Sequence, residues 1–402
     1  MRGWLQGGPW GRFETVTLRQ LSATLTTGPF GTALSASEYV EGGVPLVNPT
    51  HIRNGRIEPD LMVSVAPETA LRLARHRLST SDLVVGRHGD VGRSAIVGGR
   101  ETGWLCGSGS IAIRLNGRQM LPDFLQWFLE SRPARDQLIA ASNGATMDTI
   151  NEASLKGLAV PLPSVDDQLA IVDFLSRETA RIEGLIATKR RMIETLEERF
   201  VATRASLMLS GLDPTTGLGC TIAHWRIAAL GVVIALHRGF DLPDGDRVDG
   251  VVPVISSGGI TGRHAQAACR PPGVVTGRYG TIGDVFYSDV PYWPLNTTLF
   301  VSEFRGNDPR WVYHLLATVP LDIDSAKSAV TGINRNVVGR LRVPKPPLLE
   351  QRGIAARVED SGATINLALD GLTRQVELLK EDRQALITSA VTGDMGTLRL
   401  ES

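Results

Sequence analysis

The chain repeats itself, and the repeat constrains its fold more than any other feature. VPLPSVDDQLAI (160–171) matches VPKPPLLEQRGI (343–354), pairing Pro161 with Pro344 and Gln168 with Gln351 at an offset of 183. The offset runs back to Ile150–Asn151 against Ile333–Asn334 and forward into the stretches that follow. Those stretches share a heptad phase. Ile182, Ile186, Lys189, Ile193, Leu196, Phe200, Thr203 and Leu207 answer to Ile365, Leu369, Leu372, Val376, Leu379, Arg383, Leu386 and Ala390. A 3–4 spacing of apolar residues with Glu, Lys and Arg between is a coiled-coil seam. Lys189, Thr203 and Arg383 are its exceptions. Each stretch stops at a glycine, Gly211 and Gly393, as a helix C-terminus does. The matched phase predicts that the two helices pair with each other rather than lying in separate cores.

The segments before each helix also correspond, more loosely. Residues 13–18 resemble 225–230, Val44–Pro45 resembles Val252–Pro253, and GRHGDVG (86–92) resembles GRYGTIG (277–283). The offsets shrink from 212 to 183, so the second copy is shorter in its loops. The order is globular, helix, globular, helix. The joints near 161 and 343 are Pro-rich, and 211–220 is a Gly/Pro/Thr linker. The predicted domains are 1–160, 161–212, 213–342 and 343–402. They carry 16, 7, 12 and 7 basic residues against 14, 8, 11 and 9 acidic ones. The net charges of +2, −1, +1 and −2 favour the two globular segments as any nucleic-acid surface. Of 42 basic residues all but five are Arg, the better bidentate reader of guanine and phosphate, although a GC-rich genome produces the same bias.

Residues 84–97 and 274–287 read strand–turn–strand around Gly-rich loops. A dinucleotide site is rejected because no helix of that context follows; a tight hairpin needing positive φ explains the glycines. Short helices are expected around Leu121–Leu129 and Arg310–Ala317. No phosphate-cradling GxxxxGK[ST], zinc-binding HExxH or nucleophile-elbow GxSxG occurs. Asn48-Pro49-Thr50 lacks the second Pro and the aromatic of an adenine-methyltransferase loop, and Asp241–Asp246 has no nearby Lys for a nuclease site. Seven His show no metal spacing, and three Cys suggest neither disulfides nor zinc. The N-terminus has no signal-peptide core and no apolar run spans a bilayer, so the chain reads as soluble and cytoplasmic.

With these motifs the chain resembles the specificity subunit of type I restriction–modification systems. The resemblance rests on GPFGTAL (28–34), EGGVPLVNPTHIRNGRI (41–57), DLVVGRHGDVGRSAIV (82–97), the block 160–199, GRYGTIG and 343–355 with the following helix. It implies an α+β chain with an internal pseudo-twofold repeat. Two mixed α/β target-recognition domains alternate with two long helices paired as an antiparallel coiled coil. Each domain would read half of a bipartite site in double-stranded DNA. The helices would set the spacing and dock two methyltransferase subunits. S-adenosylmethionine belongs to those partners; ATP and Mg2+ belong to restriction subunits joined through the complex. The chain itself is expected to bind no cofactor and no metal, and to catalyse nothing. Residues 177–208 as one helix span roughly 48 Å at about 1.5 Å per residue, enough to place two readers about one DNA turn apart, ~34–36 Å. Asp167 departs from the family's Glu-Gln, which Glu350-Gln351 keeps.

Polar type and loop position make Asn48, His51, Arg87, His88, Arg93, Ser256, Arg278, Tyr279, Lys327 and Asn334 the candidate DNA contacts. Arg190, Arg191, Glu194, Glu197 and Glu198 lie on outward helix faces that a partner would meet. Two other readings stay open. A coiled-coil scaffold would show no sequence-dependent DNA binding, and a fused methyltransferase or nuclease would show activity by itself.

Overall fold

The computed structural model describes residues 13–21, 23–60, 63–89, 91–115, 118–141, 149–210, 222, 224–279, 283–322 and 332–394. The linker at 211–220 lies outside them. Contacts divide the chain into two units, Met1–Thr188 with Gln375–Ser402, and Lys189–Arg374. Each unit combines one globular segment with part of each long helix.

The first unit opens with Thr15–Thr17 antiparallel to Ala159–Pro161, a pairing that closes the globular segment on itself. Its main sheet has the order Thr24–Thr27, Ser110–Arg114, Leu83–Gly86, Ser94–Ile96, antiparallel throughout. The last two strands are the hairpin expected around the Gly-rich loop. Gly89 and Gly92 adopt φ of 83° and 87°, and a side chain at Gly92 would collide with the Leu129 carbonyl oxygen. A second four-stranded sheet contains Val44–Val47, to which Leu105–Cys106 adds in parallel. The helix Pro122–Glu130 starts with Pro at its first position and buries Phe124, Leu125, Phe128 and Leu129 on one face. That face meets Leu83, Val85, Ile111 and Ile113 of the main sheet.

The second unit repeats the strand order. Arg226–Ala229 pairs with Arg342–Lys345, and the main sheet runs Ala235–Arg238, Thr298–Glu303, Gly273–Gly277, Val285–Ser288. Val252–Ser256 again takes a parallel neighbour, Trp293–Pro294. The helix Pro309–Leu316 buries Trp311, Val312, Leu315 and Leu316 against Val274, Leu299 and Val301. Asp308 caps that helix by accepting from the Arg310 and Trp311 amides, both at 3.0 Å.

The long helices are Val165–Met208, 44 residues, and Leu348–Thr392, 45 residues. The first begins twelve residues before the expected 177. Nothing after Pro163 breaks it, and Ser164 accepts from the Asp167 amide at 3.2 Å as an N-cap. Burial follows the heptad phase. Ile182, Ile186, Ile193, Leu196 and Phe200 are buried or half-buried, and of the residues between them only Lys189 is not exposed. Ile365, Leu369, Leu372, Val376 and Leu379 behave the same way, with every residue between exposed. In the first unit Ile182 and Ile186 share a core with Val376, Leu379, Leu386 and Ile387. In the second, Met208 shares one with Ile354, Ala355 and Val358, and a β-carbon at Gly362 would stand 3.1 Å from the Phe200 ring.

The paired glutamines hold each joint. Gln168 accepts from the Leu121 amide at 2.8 Å and donates to Pro163 O at 3.0 Å. Gln351 accepts from the Asp308 amide at 2.8 Å and donates to Pro346 O at 2.9 Å. Both are buried, and both tie a helix start to the globular segment before it. Among the described residues, no helix is long and apolar enough to cross a membrane.

Candidate nucleic-acid interface

In the first unit the candidate residues fall on two adjoining turns. Asn48 precedes the single turn Pro49–His51, and its side chain fills the space that a side chain at Gly107 would need. Arg93 donates from Nη1 to the Pro49 carbonyl at 3.3 Å, which brings the hairpin and this turn together. Arg87 occupies the same neighbourhood. Its amide donates to Gly109 O at 2.8 Å, its Nη1 to Ser108 O at 3.3 Å and its Nε to Ile150 O at 3.2 Å. The guanidinium therefore knits three segments into one surface. His88, next along the loop, is exposed, with Nδ1 at 3.4 Å from Thr149 Oγ1.

His51 does not offer its ring to a partner. It is 6% exposed, and Nδ1 lies 2.9 Å from the Leu46 carbonyl oxygen and 3.2 Å from the Asn48 amide nitrogen. A polar residue beside a turn reads as a surface residue; the fold turns this one inward to serve the turn itself.

In the second unit Arg278 and Tyr279 stand where Arg87 and His88 do. The Arg278 amide donates to Thr297 O at 2.8 Å, and its carbonyl accepts from the Ile333 amide at 2.9 Å. In the first unit the Arg87 carbonyl accepts from the Ile150 amide, also at 2.9 Å. The Arg278 guanidinium stacks over the Tyr279 ring at 4.5 Å from its centroid, and the ring is 38% exposed. Asn334, one residue beyond Ile333, caps Arg335–Val338 by accepting from the Asn336 amide at 3.0 Å. Asn151 does the same for Glu152–Gly157, accepting from the Ser154 amide at 2.9 Å. Ser256 closes a separate hairpin, donating to Gly259 O at 3.1 Å. Lys327 lies outside the described residues.

One element escaped the polar-residue search. Ile52–Arg53 and Arg56–Ile57 form a hairpin whose turn, Asn54-Gly55, has φ of 49° and 71°. Asn-Gly between two short strands is the usual signal for such a turn. Arg53 and Arg56 are exposed on it, so it presents two guanidiniums on a short rigid arm. The outward helix residues Arg190, Arg191, Glu194, Glu197 and Glu198 are likewise exposed. The acidic residue of the repeated block differs in use as well as type. Asp167 accepts from Ser164 Oγ at 2.6 Å, whereas Glu350 reaches His224 Nε2 and Trp225 Nε1, both at 2.8 Å. The Trp225 hydrogen bond, with His224 beside it, lowers the Glu350 pKa. Among the described residues no three His, Cys, Asp or Glu side chains gather as a metal site. The exposed side chains supply guanidinium, imidazole, phenol and amide groups at loop tips, a chemistry that suits phosphates and base edges.

Comparison with known proteins agrees with this chemistry. The family model described as "Type I restriction modification DNA specificity domain" matches residues 14–195. The StySPI specificity subunit of a type I restriction enzyme from Salmonella potsdam is 22% identical over 196 residues, 48% of this chain and 41% of the relative. The EcoBI specificity subunit from Escherichia coli is 28% identical over 149 residues, 37% of this chain and 30% of the relative. The chain thus spans less than half the length of these curated relatives. A solved chain, described under the structural basis of complex assembly and conformational transition of the type I R-M system, superimposes with a TM-score of 0.75. It is 18% identical and covers 96% of this chain and 99% of its own, a likeness of fold.

Proposed function

We propose that this chain, a member of the type I restriction–modification specificity-subunit family, is the DNA-reading subunit of such a system. The observation that carries the reading is the duplicated arginine loop. Arg87 and Arg278 sit on the same strand-end turn of two like-ordered sheets, and each is tied by one backbone hydrogen bond to the segment before a later short helix, Glu152–Gly157 or Arg335–Val338. Two copies of one reading surface suit a DNA site of two parts. In this reading 1–160 and 213–342 are the target-recognition domains, and 161–212 and 343–402 the helical spacers.

The helices pair antiparallel and fix the gap between the half-sites. The burial phase supports this, as does the clustering of the first helix's start with the second's end in one unit, and the reverse in the other. A pseudo-twofold relation between the copies follows from that pairing. The exposed outer helix faces receive two methyltransferase subunits. S-adenosylmethionine, ATP and Mg2+ act on those partners and on restriction subunits, all in the cytoplasm, while this chain selects the sequence without catalysing a step. Near-neutral net charge suits a reader whose partners supply much of the phosphate binding.

The test is the genome-wide map of adenine methylation in cells with the cognate methyltransferase gene, with and without this chain. Loss of methylation at one gapped, two-part motif on deletion is expected. An unchanged map with an active partner present would overturn the reading and favour a scaffold.

A further inference from the structure

The two arginine loops are placed alike, but their side chains are spent differently. In the first unit the Arg87 guanidinium donates to Ser108 O and Ile150 O, so its fork is committed to main-chain carbonyls. In the second unit the Arg278 guanidinium has no hydrogen bond and no ion pair among the described residues. Its donors stay unspent, while its backbone is pinned on both sides by Thr297 O and the Ile333 amide. The side chain is only half-buried, so solvent reaches it.

Three substitutions between the repeats accompany the difference. Tyr279 stands where the first unit has His88, and Gly332 follows Thr149 by the same 183 residues that separate Ile150 and Ile333. In the first unit Thr149 Oγ1 lies 3.4 Å from His88 Nδ1. In the second, Tyr279 and Gly332 form a β-bridge, and a β-carbon at Gly332 would stand 2.6 Å from the Tyr279 ring. The missing side chain makes room for the ring, and the ring carries the Arg278 guanidinium at 4.5 Å from its centroid. Stacking fixes the plane of the fork, which matters for paired hydrogen bonds to a base edge more than for attraction to a phosphate charge. The third substitution is Arg335, where the first unit has Glu152. Glu152 accepts from the Thr27 amide and hydroxyl at 3.2 and 2.9 Å, whereas Arg335 is exposed, two residues beyond the Ile333 that Arg278 holds. A cation thus flanks the second loop where a carboxylate flanks the first, which suits a loop set between backbone phosphates.

We propose that Arg278 reads one guanine of the half-site recognised by residues 213–342. Its fork donates to O6 and N7 in the major groove, the commonest specific contact there, while Tyr279 holds its plane. The proposal rests on the reading of the chain as a DNA-binding subunit and adds the base and the residue that selects it.

The experiment uses the full chain with its methyltransferase partner. Methylation mapping gives the motif, and exchange of residues 1–160 shows which half belongs to 213–342. Binding is then measured on duplexes carrying 7-deazaguanine, which lacks the N7 acceptor, at one position at a time. Wild type should lose affinity roughly tenfold at one guanine of that half. Arg278→Ala should show no further loss there, and its methylation map should accept any base at that position. Arg278→Lys keeps the charge but not the fork, and carries the test if Arg278→Ala fails to assemble. It should keep the salt slope and lose most of the preference. Gly332→Ala should push the ring aside and lower the preference with the slope unchanged, as a positioning residue would. Uniform weakening of all duplexes by Arg278→Ala, with the salt slope reduced by about 1 and the motif intact, would make Arg278 a phosphate contact and overturn the guanine assignment. A half-site without a G·C pair would overturn it as well. Wild type without preference for any duplex would instead overturn the DNA-binding reading beneath it.

Discussion

His314 shows what burial does to a single side chain. It is 5% exposed on Pro309–Leu316, and neither ring nitrogen reaches a hydrogen-bond partner among the described residues. Burial, with Arg204 and Arg310 nearby, pushes its pKa down to about 4, outweighing Glu359 at 3.8 Å. Between about pH 6.5 and 4 the unfolded chain takes up a proton that the folded chain refuses. Stability should therefore be flat above about pH 6.5 and fall by up to roughly 3 kcal/mol as pH drops to 4. Thermal melts across that range check this, with His314→Leu expected to remove this share of the slope. Equal slopes in both proteins would mean that His314 titrates normally in the fold. Gln168 and Gln351 are the opposite case, buried polar groups whose every contact holds a joint in place.

At the scale of the element, the long helices carry a narrow seam rather than a broad apolar face, which is why their outer faces stay charged. The phase can be tested by neighbours. Ile186 is 3% exposed and Leu185 is 40% exposed. Ile186→Asp buries a carboxylate without a partner and should cost several kcal/mol, while Leu185→Asp should stay within about 0.5 kcal/mol. Chemical denaturation of the purified chain measures both, and equal losses would contradict the seam. Arg383 occupies a seam position but reaches sideways to Glu130 and Glu183, while Gln384 donates to Glu130 O at 3.0 Å. The exception in the heptad is thus an attachment point for the helix Pro122–Glu130.

For the whole molecule, duplication makes a prediction that no single site does. If each globular segment reads one half-site, replacing residues 1–160 by the matching segment of a relative should change one half of the methylated motif and leave the other half intact. Methylation mapping of the chimera decides it. Changes in both halves, or in neither, would rule out two independent readers. The swap should fold only if the incoming segment brings its own closing strand pair, the counterpart of Thr15–Thr17 with Ala159–Pro161, and backbone groups in place of those at Gln119 and Leu121 that Gln168 engages.

The sequence by itself determined the duplicated plan, the helix phase, the Gly-built hairpins and the two short helices near 122–130 and 309–316. All of these follow from local rules of period, capping and turn chemistry, which act over a few residues and leave a visible pattern. Tertiary structure alone decided the rest. The parallel pairing of Leu105–Cys106 with Val44–Val47 joins segments far apart in the chain and leaves no local mark. The inward turn of His51, the use of Arg87 to bind main-chain carbonyls and the pairing of Arg383 with two glutamates depend on which surfaces meet. A polar side chain in a loop looks the same in sequence whether it faces solvent or a neighbouring carbonyl. The cleft lined by Asn54, Ser94, Glu130, Arg135, Glu183 and Arg383 joins six elements from distant parts of the chain, so only the folded unit could reveal it.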